Sequence, residues 1–84
     1  MKYGLYSIRD SKVGFMTVTV DSNDASARRN FEHACSQTNS LFFTHPQDYD
    51  LFKVGLYDSD SGVIDPINPP EFLCAAITRS DSNV

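Results

Sequence analysis

The chain has 84 residues, enough for one domain, and at that size folding buries only about 60–65% of the unfolded surface, so the core is small. Hydrophobic residues make up 40% and charged residues 21%, as in an ordinary globular protein, and the formal charge is −4. No apolar run approaches the roughly 18 residues of a membrane span, and no basic-then-apolar leader opens the sequence; membrane, collagen-like, coiled-coil and wholly disordered classes are not expected.

The first strand is expected at residues 3–9, Tyr-Gly-Leu-Tyr-Ser-Ile-Arg, rich in aromatic and branched side chains. Asp10-Ser11-Lys12 forms a polar loop, and residues 13–20 continue with the same strand character, so the two runs read as a β-hairpin. Residues 21–24, Asp-Ser-Asn-Asp, stop the strand and offer helix-capping side chains. From Ala25 to about Thr38, Ala27, Phe31, Ala34 and Cys35 recur at helical spacing as a single apolar stripe. Arg28 and Glu32 stand four apart on the other side, where they can pair. A loop carrying Leu41, Phe42 and Phe43 is expected to pack onto the core.

Residues 50–57 read as a third strand and 58–62, Asp-Ser-Asp-Ser-Gly, as a turn. Val63 and Ile64 begin a short fourth strand that Pro66 limits, and Phe72 to Thr78 reads as an extended edge strand. The expected domain is 1–79, with 80–84 a frayed tail. The fold class is α+β: a small antiparallel sheet of four to five strands in the order β-β-α-β-β, with one helix packed on one face.

The two-residue alternation of strands assigns the faces. Gly4, Tyr6 and Ile8, then Met16, Val18 and Val20, then Phe52, Val54 and Leu56 are the more apolar sets and are expected beneath the helix. The opposite face then carries Tyr3, Leu5, Ser7 and Arg9, then Phe15, Thr17 and Thr19, then Lys53 and Tyr57. One helix covers only one face of such a sheet, so this mixture of aromatics and cations stays open. Three occupants suit it: single-stranded nucleic acid stacked on the rings, a second copy or other protein burying the patch, or the carboxy-terminal segment folding back.

Charge sharpens the choice. Residues 1–29 carry a net +2 and residues 30–84 a net −6. The acidic total argues against duplex binding by bulk electrostatics but leaves room for a locally basic surface. Arg28 and Arg29 near the start of the helix are a second candidate for phosphate, with a solvated helix face as the plain alternative. Cys35 and Cys74 are expected to be buried reduced thiols. His33, Cys35, His45 and Cys74 match no zinc spacing, and the 58–65 run lacks ligands of a calcium loop, so no metal or cofactor is expected. No phosphate-binding glycine loop, serine-centred motif or Cys–His pair suggests an enzyme.

The pieces also resemble a known family, the small non-structural, DNA-binding protein of gokushovirus-type microviruses, which are single-stranded-DNA phages. The resemblance rests on Tyr-x-Leu-Tyr-Ser-Ile-Arg-Asp-Ser-Lys at 3–12, Asn23-Asp24-Ala25 through Arg29-Asn30-Phe31, His45-Pro46-Gln47-Asp48-Tyr49 with Leu51-Phe52, the turn at 58–62 and Pro-Glu-Phe-Leu at 70–73. It implies a phage protein of the host bacterial cytoplasm, absent from the virion, that binds single-stranded DNA during genome replication or packaging without catalysis. From the face assignment and the charge pattern, the DNA-binding candidates are Tyr3, Arg9, Lys12, Phe15, Lys53, Tyr57, Arg28 and Arg29, and the apolar side chains on the open face lead to the expectation of a homodimer. The alternative is a dimeric adaptor docking a replication or capsid protein through the open face.

Overall fold

A computed structural model describes residues 1–76. The tail expected at 80–84, and the last residues of the strand expected at 72–78, lie outside the described residues. Four strands, β1 (Lys2–Asp10), β2 (Gly14–Asp21), β3 (Tyr49–Asp58) and β4 (Ile64–Ala75), form one antiparallel sheet in the order β2-β1-β3-β4. The main helix, α1 (Asp24–Cys35), links the two hairpins, followed by a single turn of helix, α2 (Leu41–Thr44), and a 3₁₀ turn at Pro46–Asp48. The α+β architecture with its β-β-α-β-β order is the expected one.

Helix α1 starts where Asn23, in extended conformation, accepts a 2.8 Å hydrogen bond from the Ser26 N–H. It ends at Cys35, three residues short of the expected Thr38. The reason is local: the Ser36 hydroxyl donates to the His33 carbonyl, and four of the five residues from Ser36 to Ser40 are Ser, Thr or Asn, which compete for backbone groups. Ser40 then caps α2 by accepting from the N–H groups of Phe42 and Phe43. Of the three apolar residues there, only Phe42 packs inward, edge-on to Tyr49 at 4.7 Å; Leu41 and Phe43 are exposed. The two segments expected as separate strands at 63–64 and from 72 are one strand, β4. It carries three prolines at 66, 69 and 70, which an edge tolerates because missing N–H groups can face outward.

The core lies between α1 and one face of the two central strands. Ala27, Phe31 and Cys35 of α1 meet Tyr6, Tyr49, Leu51, Leu73 and Ala76, with Ile8, Phe42 and Cys74 packed at the margin. Tyr6 is 1% exposed. Its ring lies over Gly4, where a Cβ would collide with it, so glycine is required in the strand at that position. Its hydroxyl donates a 2.7 Å hydrogen bond to the Asp24 carboxylate in the first turn of α1. The Lys53 ammonium lies 3.0 Å from the same carboxylate and 6.0 Å from the centre of the Tyr6 ring. Neither cysteine is in a disulfide; Cys35 is buried and burial pushes the Cys74 thiol up. Arg28 and Glu32, expected to pair, form no ion pair among the described residues, and both are exposed.

The hydrogen bond from Tyr6 and the ammonium of Lys53 hold the Asp24 carboxyl below its ordinary range. Burial, then the bond to Asp24, push the Tyr6 phenol up. A carboxyl lowered in the folded state adds stability that is complete above about pH 4 and lost as pH falls through the native value. Asp24→Asn should therefore flatten the acid limb of a denaturation profile, though not abolish it, because Asp58 is also held low by the Asp60 N–H. Tyr6→Phe should cost about 1–2 kcal/mol near neutral pH in urea unfolding. A profile of Asp24→Asn parallel to wild type between pH 2 and 6 would contradict the assignment.

Candidate nucleic-acid interface

Cross-strand register fixes which side chains share the uncovered face. Arg9 stands between Phe15 of β2 and Asp50 of β3; Ser7 stands between Val18 and Phe52, and Phe52 faces Phe72 of β4. Leu5 lies between Val20 and Gly55, and Tyr3 faces Tyr57, which faces Ile64. Two of the face assignments made by simple alternation are inverted. On β2 the valines turn away from the helix and Thr17 and Thr19 turn toward it, lining a groove with Ile8 and Phe31. On β3 Phe52 is on the open face and Lys53 beneath the helix.

Both inversions follow from irregular register. A shift between Ser7 and Arg9 places two residues of β2, Met16 and Thr17, opposite the single Ile8. A shift between Leu5 and Tyr6 leaves Val54 of β3 outside the pairing, so Leu51 and Leu56 face the helix side although their parity differs. Glycine 55 inside the strand was the one local sign of that irregularity.

Three phenylalanine rings form a row across the sheet. Phe15 and Phe52 meet edge-to-face at 5.4 Å, and Phe52 and Phe72 at 5.7 Å, each pair tilted by 77°. The row bridges three strands because the intervening residue on β1 is small. Ser7 is 2% exposed and donates a 2.8 Å hydrogen bond to the Met16 carbonyl, which satisfies its hydroxyl beneath the rings. Phe52 is wedged at the centre, whereas Phe15 and Phe72 are about half exposed, at 48% and 55%. Val18, Val20 and Ile64 extend the apolar surface to both edges of the sheet. Sequence alternation missed Phe52, Phe72, Val18 and Val20 as members of this surface.

Of the expected candidates, the fold brings Tyr3, Arg9, Phe15 and Tyr57 to the open face, with Lys12 exposed in the adjoining hairpin loop. The backbone N–H of Lys12 donates to the Asp10 carboxylate within the turn. Lys53 is a correction: it belongs to the helix side, committed to Asp24 and largely covered. Arg28 and Arg29 are exposed on α1, which covers the opposite side of the sheet from Arg9. Among the described residues the open face thus has one cation, Arg9, with the carboxylate of Asp50 directly across from it.

Among the described residues no group of three or more His, Cys, Asp or Glu side chains converges as a metal site would. The 58–62 run forms a turn with Gly62 at positive φ, and Asp58 and Asp60 contact the terminal amine of Met1. No helix among these residues is long and apolar enough to cross a membrane. Lys53→Met should return the Asp24 carboxyl toward its ordinary range, read by NMR titration, and leave the open face unchanged. Phe52→Ala should leave Asp24 alone and cost about 1–3 kcal/mol in urea unfolding, less than the roughly 3–5 kcal/mol of a fully buried ring.

A family model described as Phage ORF5 protein matches residues 3–79 of this chain. No curated protein and no solved structure matches it.

Proposed function

The chain belongs to the Phage ORF5 protein family, and on that premise we propose that it binds single-stranded DNA, without sequence preference and without catalysis, during phage genome replication or packaging. The observation that carries this reading is the Phe15–Phe52–Phe72 row, whose outer rings are half exposed on the sheet face opposite α1. Unpaired bases stack on such rings for about 1–3 kcal/mol each, whatever their identity. Arg9 beside Phe15, and Lys12 in the adjoining loop, supply cations at one end of the row. Tyr3 and Tyr57, opposite each other at the far end, supply two more rings. The acidic total and the single cation that the described residues bring to the face suit flexible single strands, which bind through bases, better than a duplex presenting phosphates. The resemblance to gokushovirus-type non-structural proteins supports the same role, exercised in the host cytoplasm and outside the virion.

A second reading is favoured by the half-exposed aliphatic residues Val18, Val20 and Ile64, which offer nothing to a nucleotide's charge. On that reading the face docks a phage replication or capsid protein.

Fluorescence anisotropy with a labelled oligothymidine separates the two. A nucleic-acid binder loses affinity as salt rises, with a slope near 0.7 per phosphate neutralised on a single strand. Replacing Arg9 and Lys12 with Ala should weaken binding for every sequence and flatten the slope by about one to two units. Phe15→Ala or Phe72→Ala should cost about 1–3 kcal/mol and leave the slope unchanged, since stacking releases no counterions. The Arg28/Arg29 double Ala variant should bind as wild type. Loss of binding in that variant alone would move the interface to the helix, and no binding at low salt would favour the protein-docking reading.

A further inference from the structure

The two edges of the sheet are built differently. Edge β4 carries Pro66, Pro69 and Pro70, two register irregularities and the charges Asp65 and Glu71, all devices that prevent another strand from adding. Edge β2 has neither charge nor proline along Phe15–Val20: Phe-Met-Thr-Val-Thr-Val is rich in β-branched residues and exposed throughout, and its one irregularity, at Met16–Thr17, leaves Val18–Asp21 in regular pairing with β1. Among the described residues its backbone hydrogen-bonds only to β1. An edge free of charge and proline on one side only, in a protein of charge −4, is the pattern of a strand meant to be paired.

We infer that β2 pairs antiparallel with β2 of a second copy, joining two sheets into one of eight strands. A second copy fits better than an unrelated peptide because the regular stretch around Val18 is complementary to itself. A two-fold axis perpendicular to the sheet at Val18 sets Val18 against its own counterpart on the open face. It also sets Thr17 against Thr19 of the other copy on the helix face, like face meeting like. The uncharged strand brings no repulsion to the join, although each copy is acidic. Closure is complete at two, since the remaining free edges are both β4.

The consequence concerns the surface already described. An antiparallel join keeps the two open faces on one side, so the two phenylalanine rows become parts of one continuous surface with an Arg9 and a Lys12 from each copy. The inference differs from dimerisation by stacking open faces, which would cover the rings. It stands whether or not the surface binds DNA.

Sedimentation of the wild-type chain at roughly 100 µM, suited to a small interface of micromolar affinity, should return a dimer and nothing larger. Val18→Lys sets two ammonium groups opposite each other at the axis and should return a monomer, whereas Phe72→Lys, on the same face but far from β2, should stay dimeric. Hydrogen exchange on the wild type provides a measurement independent of any variant's folding: amides of 14–21 should slow as protein concentration rises, and those of 64–75 should not. A wild-type monomer, a species larger than a dimer, a dimer abolished by Phe72→Lys, or concentration-independent exchange in β2 would each overturn the inference.

Discussion

The phenol of Tyr6 reaches from the central strand to the first turn of α1, and the rest of the molecule is arranged around that reach. The ring is accommodated only because Gly4, two residues earlier on the same face, has no side chain. Its hydroxyl ends on Asp24, the residue that follows the helix cap, so the bond sets where α1 begins relative to β1. Lys53 arrives from β3 and neutralises the same carboxylate. One partly buried carboxylate thus ties together the first hairpin, the helix and the third strand, with charge-assisted bonds that are stronger than neutral ones. In a chain this short, with few large core residues, such a tie supplements hydrophobic burial that is limited by size.

The same tie determines the character of the other face. Once Tyr6 is beneath the helix, Leu5 and Ser7 must point away from it, and cross-strand pairing carries Val18, Val20 and Phe52 with them. Leu5 and Ser7 are nonetheless buried, roofed by their neighbours on the adjacent strands. Ser7 is small enough for Phe15 and Phe52 to meet above it. A larger residue there would hold those rings apart, and the row would be broken at β1. The open surface, with Phe15, Val18, Val20, Ile64 and Phe72 about half exposed, is therefore a by-product of how the core is tied.

Charge is distributed in the opposite sense to what a nucleic-acid label suggests. Among the described residues the single cation on the open face faces a carboxylate, Lys53 is committed elsewhere, and the arginine pair sits on the helix. Recognition on this surface has to rest on rings first and on phosphate second. Joining two copies through β2 raises the number of rings and cations on one side of the molecule without any change in sequence.

Much of this was legible in the chain itself. Local chemistry was sufficient for the hairpin around residues 10–14, the Asn23 cap, the apolar stripe Ala27, Phe31 and Cys35, and the turn at 58–62, because each depends on residues a few positions apart. The alternation along β1 correctly put Gly4, Tyr6 and Ile8 inside and Tyr3 and Arg9 outside. What alternation could not supply was the phase of β2 and β3, since a single extra residue in the ladder, at Met16–Thr17 or at Val54, reverses the face of everything beyond it. Lys53 and Phe52 exchanged places for that reason, and the ring row became visible only when strands distant in sequence were set side by side. Sequence determined which segments are strands and which is helix; pairing between those segments decided which side chains share the open face, because register is a property of two strands and never of one.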